Sequence, residues 1–153
     1  MESAKKFAML RILFGAVWAV DAFFKWQPDF FAKFTDYLAG GAEGQSLLVQ
    51  KWIHVWLTII GVNPHFFAFF AAITETAIAF GLLLGMFTPL VCYGGAVFSL
   101  IIWSTAEGFG GPYTAGSTDI GAAVIYVLVF AALLIGQSWK VWSIDALRKR
   151  YMR

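Results

Sequence analysis

Cysteine and histidine are nearly missing from this chain of 153 residues, and each shortage excludes a class of chemistry. Cys92 is the single cysteine, so the chain alone forms no internal disulfide, no Cys-x-x-Cys redox pair and no iron–sulfur site. His54 and His65 are the only histidines, and neither lies deep in an apolar run. That argues against a haem held between two histidines. Charge is scarce too: Asp, Glu, Lys and Arg make up 13% of residues, against about 25% in soluble domains. No His-Glu-x-x-His motif, Ser-His-Asp arrangement or carboxylate-rich cluster is present, so no intrinsic metal centre is expected. The net charge of +2 comes from basic residues gathered at the two ends, where membrane topology explains them without a nucleic acid.

Apolar and aromatic residues fill the space. The chain is 60% hydrophobic, with 16 Phe and 7 Trp, and its mean hydropathy is +0.74. This is the composition of a multi-pass membrane protein whose first partner is the lipid bilayer. Apolar runs at Phe7–Trp26, Phe66–Phe87, Pro89–Thr105 and Asp119–Gln137 predict spans, each near the roughly 20 residues that a bilayer requires. Asn63-Pro64 opens the second run and Thr88-Pro89 separates it from the third, because proline blocks helix continuation. The expected fold is all-α: a single domain over residues 1–153, built as an integral membrane four-helix bundle with additional interfacial helices in the first outer loop. Met1 to Ala19 imitates a signal peptide, yet Arg11 interrupts its apolar core and no small-x-small site closes it, so retention is expected. Eight of the eleven Lys and Arg lie either at Lys5, Lys6 and Arg11 or in the tail at Lys140, Arg148, Lys149, Arg150 and Arg153. With an even number of spans, this bias makes both termini cytoplasmic.

The loop between Gln27 and Asn63 holds two amphipathic stretches. Phe30, Phe31, Phe34 and Leu38 oppose Asp29, Lys33 and Asp36; Leu48, Trp52, Val55, Trp56 and Ile59 oppose Gln50, His54 and Thr58. They read as helices lying in the outer interface and hinged at Gly40, Gly41 and Gly44, the second interfacial, re-entrant or a shallow fifth span. After Gln137, Trp139, Trp142, Ile144 and Leu147 predict a basic helix on the inner surface.

Against this apolar background the ionisable residues stand out. A charged side chain at the centre of a membrane helix costs roughly 2.5–3.5 kcal/mol on insertion scales, and Glu75 sits near the middle of the second run. It shares a face with Ala68, Ala71, Ala72 and Ala79, small residues that let helices approach, so it points inward. There it is protonated, hydrogen-bonded, or paired with Lys25 or Arg11; a purely structural pair that fixes helix register is the plain alternative. On the first run Arg11, Phe14, Trp18, Asp21 and Lys25 form one helical stripe, with Asp21 and Lys25 in the favourable i,i+4 order. Arg11 and Lys25 lie about 21 Å apart along the axis, and Arg11 is read chiefly as snorkelling to the inner interface. Ser117-Thr118-Asp119 supplies caps for the fourth run, and Tyr126 follows Asp119 on its stripe. The glycine-rich loop from Glu107 to Asp119 lacks the Gly-Lys-Ser/Thr of a phosphate loop and is expected to fold over an outer mouth. The expected site is an outer-leaflet cavity ringed by Asp21, Lys25, Glu75, Trp103, Glu107, Tyr113 and Asp119. Its aromatic wall, cation and proton carriers suit a quinone headgroup.

Arg11-Ile-Leu-Phe-Gly15, Asp21-Ala-Phe-Phe-Lys25-Trp26, Glu75 ahead of Gly81-Leu-Leu-Leu-Gly85, and Gly111-Pro-Tyr-Thr-Ala-Gly-Ser-Thr-Asp119-Ile-Gly occur in that order. In these the chain resembles the DoxX-like superfamily, and within it the DoxD type, the small subunit of thiosulfate:quinone oxidoreductase. The resemblance runs from about Phe7 to Gly136. It implies a four-helix membrane bundle in a prokaryotic cytoplasmic membrane that delivers electrons from a sulfur anion such as thiosulfate to the quinone pool, with a second subunit or further copies of itself as partner. Under that reading Lys25 attracts an anion or a quinone carbonyl, Asp21 orients Lys25, and Glu75 and Asp119 carry protons. Arg11, Trp18, Trp103, Glu107, Tyr113 and Tyr126 complete the binding surface, with Trp18, Trp103 and Tyr113 against the ring. The alternatives are a non-catalytic anchor or assembly subunit of a redox complex, and, ranked last for want of an inverted repeat, a carrier of small anions or protons.

Overall fold

A computed structural model describes residues 2–115, 117 and 119–151, so Met1, Gly116, Thr118 and Arg153, which belong to the segments named above, lie outside the described residues. Among the described residues the chain is all-helical, with no strand. Helices α1 (Glu2–Lys25), α2 (Pro28–Ala32), α3 (Phe34–Gly40), α4 (Leu47–Gly61), α5 (Pro64–Leu84), α6 (Thr88–Ser104), α7 (Ala122–Ile135) and α8 (Ile144–Tyr151) follow one another, with short 3-10 turns at Gly108–Gly110 and Ser138–Lys140.

Local chemistry fixes most boundaries. Glu2 in the first turn and Lys25 in the last suit the two ends of the α1 dipole. The Asn63 side chain accepts the Phe66 N–H at 3.1 Å while Pro64 occupies the first turn of α5. The same helix stops at Gly85, whose φ of 63° belongs to the left-handed region that glycine tolerates. Of the expected spans, the fourth is shortened most: helix covers only Ala122–Ile135, because Gly121 at φ 90° breaks the backbone before it.

α1 and α5 are long and apolar enough to cross a membrane. α4, α6 and α7 are shorter apolar helices of 15, 17 and 14 residues. α1 packs along α5 and α6 along α7; further contacts between α5 and α6 and between α1 and α7 join the pairs. Their shared core gathers Phe14, Trp18, Ile78, Leu82, Phe130 and Leu133. Gly95 lets α6 come so close to α7 that an added Cβ would stand 2.2 Å from the Phe130 ring. A second core joins Phe34 and Leu38 of α3, Ile60 of α4, and Ala68 and Ala71 of α5.

The opposite faces of the long helices are apolar and exposed. Leu13, Val20 and Phe23 on α1, Phe66, Phe70 and Phe80 on α5, Leu90 and Val97 on α6, and Leu128 and Ile135 on α7 all point outward. α4 departs from its expected pattern. Leu48, Trp52, Val55 and Ile59 face out, whereas Ile53 and Ile60 are buried with Trp56 partly covered between them. The helix is apolar on two sides, so a single amphipathic stripe described it incompletely.

Candidate functional site

Where α1 ends, the chain turns through α2 and α3 and places them, with α4, against the Lys25 ends of α5 and α6. The space between is a cavity of about 1010 Å³. Its wall is largely aromatic and aliphatic, including Phe24, Phe30, Phe34, Tyr37, Leu38, Trp56, Ile60, Phe67, Phe70 and Phe98. Lys25, Glu75 and Glu107 supply charge, and Gln27, Asp29 and Thr105 add polar edges. A few polar groups in a mostly apolar hollow is the usual make-up of a small-molecule site.

Glu75 reaches it from the buried side of α5, on the small-residue stripe expected from the sequence. Its side chain is 2% exposed, and Oε1 lies 3.6 Å from Nζ of Lys25, which is 29% exposed. Lys25 also lies over the Phe30 ring at 5.3 Å, a cation–π distance. The next residue helps to hold this arrangement: the Trp26 indole N–H donates to Thr76 Oγ1 at 3.0 Å, tying the end of α1 to α5 one residue beyond Glu75. Two polar atoms among the lining residues are buried without a hydrogen-bond partner, Oε2 of Glu75 and the indole N–H of Trp56. An unpaired buried polar group costs about 1–3 kcal/mol, so each marks a place where a guest group is worth something.

The remaining expected site residues lie elsewhere. Asp21 is half-buried, but no ion pair joins it to Lys25; it accepts the Tyr126 hydroxyl at 3.3 Å. It therefore ties α1 to α7 and does not orient Lys25. Trp18 is fully buried in the α1/α5/α7 core against Phe14, Tyr126 and Phe130, so it packs helices together and does not line the cavity. Trp103 donates its N–H to the Ile120 carbonyl at 2.8 Å and packs edge-on against Phe109, holding the loop. Tyr113 is exposed and bonds back to the Phe109 carbonyl.

Asp119 is exposed and accepts the N–H of its own neighbour Ile120, while Ser117 bonds within the loop. Neither caps α7. The carboxylate at that helix start is Glu107, whose oxygens accept the Ala123 N–H at 3.1 and 3.2 Å. Glu107 thus both borders the cavity and anchors α7.

Arg11 corrects an expectation outright. It is fully buried, not snorkelling, and lies toward the other end of α1 from the cavity. Its guanidinium donates to the carbonyls of Ser138 and Trp142. It is a clasp for the C-terminal segment, away from the candidate site.

Lys25, Glu75 and Glu107 are thus the expected residues that the structure brings together. The aromatic lining from α2, α3 and α4 was missed as part of the site. Its signal was visible, since Phe30 and Phe34 fall on the apolar face of one amphipathic stretch and Trp56 on that of the other. No group of three or more His, Cys, Asp or Glu among the described residues is arranged to hold a metal ion. No protein family, curated protein or solved structure matches the chain at a significant level.

Proposed function

We propose that the chain is a multi-pass membrane protein whose aromatic cavity binds a quinone headgroup, acting as the membrane subunit of a quinone-linked oxidoreductase of the DoxX-like, DoxD type. Support for the membrane setting comes from the exposed faces. Leu13 and Phe23 on α1 are 60% and 63% exposed, Leu90 on α6 72% and Leu128 on α7 63%. Soluble monomers rarely expose continuous apolar faces of that kind. In this reading α1, α5, α6 and α7 form a four-helix membrane bundle, α2 to α4 lie at its outer interface, and the basic ends face the cytoplasm of a prokaryotic cell.

One observation carries the site: Oε2 of Glu75, buried and unpartnered, beside the Lys25 ammonium in an otherwise apolar hollow. The residues fit the ligand class, since apolar walls cradle a flat ring and the charged pair addresses a carbonyl at its edge. When bound, a quinone would accept two electrons, released as two thiosulfate ions couple to tetrathionate on a partner subunit, together with two protons drawn from solvent. Lys25 polarises the ligand's carbonyl oxygen, and Glu75 holds or passes a proton at Oε2. The aromatic wall keeps bulk water from that proton.

Binding of a short-tailed ubiquinone to the purified chain in lipid nanodiscs tests this. Saturable binding is expected, weakened about tenfold or more in Glu75→Gln, on the order of one charged hydrogen bond. Equal binding by the variant removes Glu75 from the site, and no binding by the wild type removes the reading. The pairing of ionisable groups within the chain, Lys25 with Oε1 of Glu75 and Asp21 with Tyr126, favours a second reading, a non-catalytic anchor of a redox complex. Stable co-purification of a partner together with absent quinone binding supports that one.

A further inference from the structure

The Arg11 end of the molecule carries a second hollow, about 610 Å³, between the start of α1, the end of α5 and α8. Its floor is apolar, with Leu83, Leu84 and Leu147, and Lys5 and Arg150 stand at its border. We infer that this groove is a binding site for an anionic phospholipid, its headgroup between Lys5 and Arg150 and an acyl chain along the leucines. The inference rests on the membrane reading and is independent of the quinone.

Three observations point to that occupant. First, the charge is uncompensated. Among the described residues the nearby acids are committed elsewhere: Glu2 pairs with Lys6 at 3.0 Å, and both oxygens of Asp145 accept backbone N–H groups of Phe87 and Thr88 at 2.9 and 2.8 Å. Among the described residues no Asp or Glu lies within ion-pair distance of Lys5 or Arg150. Arg148, packed over the Phe87 ring, and Lys149 add to the same field.

Second, the groove is held open by fixed structure. The Asp145 bonds pin α8 beneath α6, and the Asp145 N–H donates to the Gly85 carbonyl at 3.0 Å. α8 is therefore a docked element whose place does not depend on the ligand. Third, the floor runs into exposed apolar surface. Leu84, Trp142 and Leu147 are 47%, 58% and 53% exposed, so the hollow opens toward the region of acyl chains. An acidic peptide or a free anion would use the cations and leave that floor unused. A phospholipid uses both, and anionic lipids are concentrated in the leaflet that the basic ends of this chain face.

Delipidated full-length chain in detergent, titrated with phosphatidylglycerol or phosphatidylcholine micelles and followed by thermal unfolding, separates the outcomes. Tighter binding of phosphatidylglycerol is expected. Each basic residue near such a headgroup contributes about fivefold, so Lys5→Gln with Arg150→Gln lowers that affinity about 25-fold and leaves phosphatidylcholine unchanged. Lys51→Gln, on distant α4, changes neither. Raising salt from 0.1 to 1 M shortens the screening length from about 10 to 3 Å and erases the preference in the wild type, a readout that needs no variant. Equal affinity for both lipids overturns the inference, as does an unaltered preference in the double variant. Competition by inorganic phosphate, or by an acidic peptide, at the concentration where the lipid binds also overturns it, in favour of an anion or protein site. A chain that stays monodisperse without lipid or detergent removes the membrane reading itself.

Discussion

Replacing Arg11 tests the clasp most directly. The side chain is fully buried, and Nη1 donates to the Ser138 carbonyl at 3.2 Å while Nη2 donates to the Trp142 carbonyl. A Cβ on Gly85 would lie 2.3 Å from Nη1, so the end of α5 closes over the guanidinium. Arg11→Met keeps the apolar stem and removes both bonds. Hydrogen bonds to charged groups contribute about 1.5–3 kcal/mol each, and release of a desolvated guanidinium offsets part of their loss. A net destabilisation of about 3 kcal/mol follows. For a chain of this size that is a Tm lower by roughly 6–12 °C, read by thermal unfolding in detergent. Arg11→Lys loses part of this, because an ammonium keeps a charged donor for one carbonyl yet cannot bridge two as the planar fork does. A second readout is local: trypsin should cut after Lys140 and Arg148 faster in Arg11→Met, since the segment has lost its clasp. Quinone binding at the far cavity should not change in the folded variant. An unaltered Tm with unaltered cleavage would refute this account.

The charged pair should respond asymmetrically. Lys25→Met leaves the buried Glu75 without its partner and costs about 2–4 kcal/mol, below the usual range for a fully buried pair because Lys25 is 29% exposed. Glu75→Gln leaves an ammonium that reaches water and costs under about 1 kcal/mol; the double variant should then lose less than the sum, as a double-mutant cycle of Tm values will show. Gly95→Ala presses a methyl group 2.2 Å from the Phe130 ring and should cost about 1–3 kcal/mol, recovered in part by Phe130→Leu; no loss in calorimetry would mean that α6 and α7 separate easily.

Periodicity made the helices and the inward face of α5 legible, because a run of alanines around Glu75 admits only one packed orientation. Partners across the fold were not legible. Asp21 stands one turn from Lys25, so local geometry favoured that pair, yet a tyrosine on α7 reached Asp21 and a carboxylate on α5 reached Lys25. The caps expected from Ser117 and Asp119 failed for a related reason: α7 begins at Ala122, and the carboxylate that accepts the Ala123 N–H belongs to Glu107, 16 residues earlier. Arg11 was read from its distance to the inner interface. What displaced that reading is the return of residues 138–142, whose carbonyls offer the guanidinium better partners than headgroups do. Caps, pairs and clasps set by tertiary contact leave no periodic trace in the chain.

Glu75 also bears on whether its pair with Lys25 is structural or poised for a ligand. A carboxyl group placed only to fix helix register would be expected to have both oxygens satisfied, since a half-satisfied buried polar group is worse than an apolar side chain. Hydroxyl donors are close in sequence, yet Thr74 donates to the Phe70 carbonyl at 2.8 Å and Thr76 to the Ala72 carbonyl at 2.7 Å, each back along its own helix. Thr76 also receives the Trp26 N–H. Lys25 meets Oε1, and Oε2 is left over beside a large apolar hollow. Adjacent positions on a helix do not face each other, so neither hydroxyl serves the Glu75 carboxylate. That neither does so, and that the indole N–H of Trp56 on the same cavity's wall is likewise unpaired, leaves two hydrogen-bonding groups for a molecule bearing polar atoms at more than one edge. A ring with carbonyl groups on opposite sides meets that requirement when Glu75 is protonated and donates from Oε2, whereas a spherical anion attracted by Lys25 accepts the Trp56 N–H and leaves Glu75 unserved.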